Sequence, residues 1–283
     1  MAQVTSLERK NNNRSLTHSS INIFFKRLIH PALFKLAESK INYKVIKGND
    51  FAEKQAEFSE DRPIIFVCNH TTSYDIPIAL RAIKKHTILF AGKQPLEKID
   101  ELFFNLNGTI YVDRKNKEDM KLSKQAMIET LNKKRNILVF PEGTWSTIPL
   151  DTSDATIMHE MKWGIIEVAQ EANAIIVPMG LNYDYDKRTC KYVFGEPFDP
   201  KYISLITSIN EVRDSIATIR WNYFEENGMF KREDINVEEE REKRKRSVEE
   251  YPKLDYDYEQ SIIFHRKPSE EEVFAPIKKL RNK

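Results

Sequence analysis

Three short runs of this chain, PIIFVC at Pro63–Cys68, ILVF at Ile137–Phe140 and AIIVPMGLN at Ala174–Asn182, are apolar at consecutive rather than alternate positions. A strand with one face in water alternates apolar and polar side chains, so runs without alternation need cover on both faces, as in a mostly parallel sheet between helices. Further strand candidates are Thr87–Phe90, Thr109–Asp113 and Tyr192–Gly195. Helical patterns fall between them near 75–85, 96–106, 117–133 and 156–172, with another over Ser208–Glu226. This alternation predicts an α/β fold with a mostly parallel central sheet flanked by helices.

Length and charge narrow the classes. The 283 residues, 40% hydrophobic and 31% charged, are enough for one main domain with appended ends. Lys and Arg total 45 against 43 Asp and Glu, a net charge of +2, whereas nucleic-acid binders carry a large clustered basic excess. The two cysteines, Cys68 and Cys190, are too few for a disulfide framework or a zinc site. With no uninterrupted apolar centre of a secretory leader, a reducing, cytoplasmic setting is expected.

No segment reaches the roughly 18 uncharged apolar residues of a membrane-spanning helix. Residues 20–36 do place Ile21, Phe24, Phe25, Leu28, Ala32 and Leu36 at helical spacing beside Lys26, Arg27 and Lys35. Such a helix can pack on the protein's own core or lie in a membrane interface with its basic residues toward headgroups. At the other end, every residue of 238–250 except Ser247 and Val248 is charged, so this stretch supplies no core. The expected organisation is a polar arm and amphipathic helix over 1–45, the main domain over 46–228 and a charged extension over 229–283.

The chemistry concentrates where apolar runs end. His70 and Asp75 follow PIIFVC, where the carboxyl end of a parallel strand opens into the crevice in which α/β proteins bind ligands. Five residues of straight helix turn through about 500°, which does not put two side chains on one face, so a turn has to bring this pair together. A carboxylate can then hold one imidazole nitrogen and leave proton transfer to the other. The competing reading is structural: Thr72 or Ser73 caps the helix and Asp75 sits in its first turn, favoured by the dipole. Cys68 ends an apolar strand, where cysteine is usually a buried hydrophobe rather than a nucleophile. No G-x-S-x-G elbow supports a serine nucleophile at Ser73 or Ser146. His86 and His159 fit no metal-ligand spacing, so no metal is expected.

Four segments in order, NHTTSYD (69–75), GTIYVDR (108–114), FPEGTWS (140–146) and IIVPM (175–179), resemble the four blocks of the glycerolipid acyltransferase family, the 1-acylglycerol-3-phosphate acyltransferase type. The resemblance covers roughly residues 60–200 and extends to AGKQPL at 91–96, MKWGIIEVA at 161–169 and GEPF at 195–198. It implies transfer of a fatty acyl group from acyl-CoA or acyl carrier protein, as co-substrate and without a bound cofactor, to a hydroxyl of a lysophospholipid. By the same resemblance His70 is the general base and Asp75 its orienting partner. Arg114 would contact the acceptor's phosphate or headgroup, and Glu142 and Gly143 would shape the acceptor site. Lys93, Gly108, Thr144 and Pro178 complete the substrate-binding set. The implied partners are a membrane surface and lipid substrates, with the protein peripheral on the inner face of the cell membrane.

One residue departs from the pattern. Trp145 stands where the family usually has an arginine, and an indole offers an apolar face and one donor instead of a charge. A less acidic lysophospholipid, or an acceptor held partly by stacking, follows from that change. Two alternatives stay open: a same-fold O-acyltransferase acting on a non-glycerolipid acceptor, and a non-catalytic lipid-binding protein.

Overall fold

The computed structural model describes residues 43–51, 62–72, 74–92, 104, 107–143, 161–184 and 186–228. Among them lie seven strands, β1 (Lys44–Lys47), β2 (Ile64–Cys68), β3 (Thr87–Gly92), β4 (Ile110–Val112), β5 (Asn136–Val139), β6 (Ile175–Asp184) and β7 (Thr189–Phe194). The helices are α1 (Asp75–Ile83), α2 (Lys117–Asn132), α3 (Gly164–Glu171) and α4 (Leu205–Glu226). The strands form one sheet in the order β1-β7-β6-β2-β5-β3-β4. From β6 to β4 all neighbours are parallel, whereas β7 runs antiparallel to β6 and carries β1 parallel to itself at the edge.

The continuous apolar runs are explained by cover on both faces. Every residue of β2 is buried, and its side chains divide by parity. Ile64, Phe66 and Cys68 join Ile78, Leu80 and Ile83 of α1 on one face. Ile65 and Val67 join Met127 and Leu131 of α2, Ile166 and Val168 of α3, and Val212 and Ile216 of α4 on the other. Each such aliphatic side chain contributes about 1.5–3 kcal/mol when taken out of water, so a one-residue slip of β2, which exchanges its two faces, is strongly opposed.

Four sequence expectations change in detail. KVIK at Lys44–Lys47 is a strand, and the expected boundary between residues 45 and 46 cuts through it. Its side chains are mostly exposed at the sheet edge, so it lacks the apolar run that marks the inner strands. The helix expected over 156–172 has its described part at Gly164–Glu171, with Met161–Trp163 outside it.

Third, Pro178, which in a strand suits an edge or a strand end, lies within an inner strand, since β6 lies between β2 and β7. The proline carbonyl accepts from Gly195 N–H (2.8 Å), and Ile176 forms an isolated bridge with Phe198 on the same side. The regular β6–β7 ladder starts only at Met179, so the missing proline N–H falls in the gap between that ladder and the bridge. Fourth, Gly108 precedes β4 at the end away from Asp113 and Arg114. Its φ of 87° and its N–H bond to the Phe104 carbonyl (3.1 Å) make it the left-handed residue of a turn into the strand. The segment 20–36 and the extension 229–283 lie outside the described residues.

Candidate active site

The last residues of β2 and the first of α1 are joined by a turn that answers the geometric question set by the His70–Asp75 spacing. Asn69 is buried and works as an extra rung of the sheet. Its side-chain oxygen accepts from Leu181 N–H (2.8 Å) and its side-chain nitrogen donates to the Leu181 carbonyl (3.0 Å). This pins the chain to β6 just where it leaves the ladder. The Asp75 N–H then bonds back to the Thr72 carbonyl (3.2 Å), folding the chain so that Asp75, the first residue of α1, faces His70.

Asp75 has no solvent exposure, and a bare buried carboxylate would cost several kcal/mol. Donors offset that cost. Asp75 Oδ2 accepts from the N–H groups of Thr71 and Thr72, the latter at 2.7 Å, and lies 2.8 Å from His70 Nδ1. Asp75 Oδ1 accepts the Tyr183 O–H at 2.6 Å. Bonds to charged groups contribute about 1.5–3 kcal/mol each, enough in sum to keep the carboxylate in place. Of the structural alternative, Asp75 does stand in the first turn of α1, but the cap does not form: the N-cap is Tyr74 with no side-chain cap bond, and Thr72 Oγ1 accepts from Tyr74 N–H (3.1 Å) one step earlier.

With acceptor-only oxygens facing it, His70 Nδ1 carries the hydrogen, which makes Nε2 the basic nitrogen of the neutral ring. The imidazole is 16% exposed and rests on Phe140, ring centroids 4.5 Å apart and planes 33° apart. The His70 backbone N–H donates to Glu142 Oε1 at 2.8 Å. Glu142, 2% exposed at the exit of β5, therefore braces the His70 backbone from inside, a task the sequence reading did not give it.

Arg114 leaves β4 in a turn closed by Asp113, whose side chain accepts from Lys115 N–H (3.0 Å) while Asp119 accepts from Asp113 N–H (2.6 Å). Its guanidinium donates to the Gly143 carbonyl through Nη1. Gly143 has φ 76°, and a Cβ there would stand 2.8 Å from Arg114 Nη1; a Cβ on Gly92, at the end of β3, would stand 3.2 Å from Nη2. Gly143, in the left-handed region, leaves room for the guanidinium among the exits of β3, β4 and β5, and Gly92 lines the same space.

The structure therefore brings His70, Asp75, Glu142, Gly143 and Arg114 to the carboxyl edge of the parallel strands. It places Gly108 at the opposite edge and Pro178 within the sheet, paired with Val67. Lys93, Thr144 and Trp145 lie outside the described residues. Cys68 is fully buried, and desolvation together with the nearby Asp75 charge pushes its thiol well above the usual range, which removes it as a nucleophile. Among the described residues no group of three His, Cys, Asp or Glu side chains could hold a metal ion, and no helix is long and apolar enough to cross a membrane.

Sequence reasoning missed Tyr183 and Asn69. Tyr183 had a usable signal: Ile175, Val177, Met179, Leu181 and Tyr183 share the face of β6 that packs with Cys68 and α1. A polar-tipped aromatic ending such a row is aimed at whatever lies beyond Cys68.

At the carboxyl ends of the parallel strands the sheet thus holds a carboxylate-bonded histidine after β2 and, three strands away after β4, an arginine bonded to the Gly143 carbonyl. Residues 50–182 match the family model described as Acyltransferase. The chain is 27% identical over 125 residues to the lyso-ornithine lipid O-acyltransferase of Pseudomonas aeruginosa, covering 44% of this chain and 45% of that protein. It is 28% identical over 172 residues to the 1-acyl-sn-glycerol-3-phosphate acyltransferase of Cocos nucifera, covering 57% and 51%. The chain thus spans about half the length of the curated relatives it matches. The crystal structure of the 1-acyl-sn-glycerophosphate (LPA) acyltransferase from Thermotoga maritima shares the fold with a TM-score of 0.52 at 16% identity, over 74% of this chain and 91% of that one.

Proposed function

We propose that this protein transfers a fatty acyl group from a thioester, acyl-CoA or acyl carrier protein, to a hydroxyl of a lysophospholipid. The observation that carries the reading is the His70 Nδ1 to Asp75 Oδ2 bond, which fixes the tautomer that leaves Nε2 basic. His70 Nε2 takes the acceptor hydroxyl's proton as that oxygen attacks the thioester carbonyl. The tetrahedral intermediate then expels the thiolate, which recovers the proton from the imidazolium. The ester C–O bond forms, the C–S bond breaks, and no acyl-enzyme is needed. Asp75 stabilises the imidazolium while the proton is on the ring.

Arg114 supplies positive charge for the acceptor's headgroup. Its contact with Gly143 sets that charge one residue from Glu142, whose carboxylate holds His70, so headgroup and reacting hydroxyl are positioned by one loop. Trp145 in place of the usual arginine favours an acceptor less acidic than lysophosphatidic acid. The two curated relatives carry different acceptors in their names, a lyso-ornithine lipid and a glycerol 3-phosphate lipid, so both belong in the assay.

The test is acyl transfer by purified protein from labelled long-chain acyl-CoA and acyl carrier protein to a panel of lysolipids. Wild-type transfer that falls about 10²–10⁴-fold in His70→Ala is expected for loss of a general base. A folded wild-type protein that acylates none of the lysolipids would overturn the reading and favour a non-glycerolipid acceptor. The segment 20–36 brings the enzyme to the inner face of the cell membrane in this reading. Co-sedimentation with anionic vesicles should be lost in the Phe24→Ser, Phe25→Ser double variant, and retention would remove the claim.

A further inference from the structure

Asp75 is usually regarded from the histidine side, through Oδ2. The other oxygen carries a separate arrangement. Oδ1 accepts the Tyr183 phenol at 2.6 Å, and the phenol oxygen in turn accepts from Thr72 Oγ1 at 3.3 Å. Tyr183 is 1% exposed and its ring is held edge-on against Tyr43, centroids 5.1 Å apart and planes at 79°. A phenol fixed this firmly cannot swing away from the carboxylate without repacking the face between β6 and α1.

We propose that Tyr183 is a positioning residue of the His70–Asp75 pair: its O–H locks the rotation of the carboxylate and draws negative charge from Oδ2 to Oδ1, weakening the hold of the imidazole on its proton. The reasoning is electrostatic. A hydrogen bond donated to a carboxylate lowers its basicity, and a less basic carboxylate stabilises the neighbouring imidazolium less. Charge remains on Oδ2 to support the imidazolium formed in the reaction. Burial and the adjacent Asp75 charge raise the Tyr183 phenol well above the usual range, so it stays a donor at every working pH.

Among the described residues, the titratable groups around the pair come from several elements. Asp75 and Tyr74 come from the start of α1, Glu142 from the exit of β5, Cys68 from β2, Cys190 from β7, Tyr43 from ahead of β1, and the charge of Arg220 on α4 reaches Cys68 across the sheet. Both thiols are held neutral by burial, and the Tyr43 phenol is raised in the same direction. Asp75 and Glu142 bond His70 directly, and Tyr183 bonds Asp75.

The rate consequence rests on the acyl-transfer reading; the proton affinity does not. The experiment is therefore a direct NMR titration of the His70 imidazole in the full chain, with ring-labelled histidine and assignment by loss of the signal in His70→Gln. Tyr183→Phe should raise the His70 midpoint by about 0.5 unit or more, and the acidic limb of kcat should move upward with it. Replacing Tyr183 by 3-fluorotyrosine keeps the packing and makes the phenol a stronger donor, so the midpoint should fall. Opposite shifts in the two variants support the proposal. No shift in either, or shifts of one sign in both, would overturn it. If Tyr183→Phe does not fold, the sign of the fluorotyrosine shift decides alone. A wild-type protein that transfers no acyl group would defeat the proposed function while leaving the titration able to judge Tyr183.

Discussion

At the scale of single residues, the site depends on one buried carboxylate with donors on both oxygens. Asp75→Asn tests charge apart from shape. The amide oxygen can keep the Oδ2 position, still accepting from Thr71, Thr72 and His70 Nδ1, while its nitrogen faces the Tyr183 hydroxyl, which can turn to accept. The variant should therefore fold with a urea stability within about 1 kcal/mol of the parent, since it trades a buried charge for a satisfied amide. Turnover should fall about 10²–10⁴-fold because a neutral amide does not support the imidazolium. A large stability loss with unchanged turnover per folded molecule would contradict this account. The pair was legible because its four blocks stand in order, not because of the five-residue spacing. Tyr183 could be placed on the inner face of β6 but not matched to its partner, because Asp75 is 108 positions away and only the sheet register brings the two together.

At the scale of elements, the strands with unbroken apolar runs were readable and the edge was not. Ile64–Cys68, short, apolar throughout and preceded by Pro63, reads as an inner strand, whereas Lys44–Lys47 owes its strand state to pairing with β7 rather than to its own composition. Helix α2 was readable from its helical pattern, and the structure adds a cap: Asn116 accepts from the N–H groups of Glu118 and Asp119. That cap also stiffens the turn from which Arg114 emerges. The loop after β5 shows how one glycine serves two strands. Gly143→Ala places a Cβ at φ 76° against the Arg114 guanidinium, costing about 1 kcal/mol of backbone strain and displacing the arginine. KM for a negatively charged acceptor should rise several-fold, with KM for the acyl donor nearly unchanged, in steady-state assays varying each substrate. An equal rise in both would place Arg114 outside the acceptor's reach.

At the scale of the whole molecule, the two ends of the parallel strands are built differently. The carboxyl end holds the buried charge and the glycine cradle; the amino end is held by long-range staples with no part in the chemistry. Arg62, just ahead of β2, donates to both oxygens of Asp199 at 2.5 and 3.0 Å and to the Asn173 carbonyl at 2.9 Å, tying together the approaches to β2, β6 and α4. The Arg62 hydrogen bonds hold the Asp199 carboxyl below the ordinary aspartate range. A carboxyl lowered on folding adds stability above its unfolded pKa of about 3.9 and loses it as pH falls through the folded value. Because the Asp199 side chain is 39% exposed, solvent screening limits the contribution to about 1 kcal/mol or less. Urea unfolding of Arg62→Met should thus show a small deficit at pH 7 that shrinks steadily below about pH 4, with turnover unchanged at neutral pH. A deficit that grew on acidification would reverse the sign of the argument. A loss of turnover at constant stability would mean that the amino end of the sheet is coupled to His70, contrary to the division of labour between the two ends.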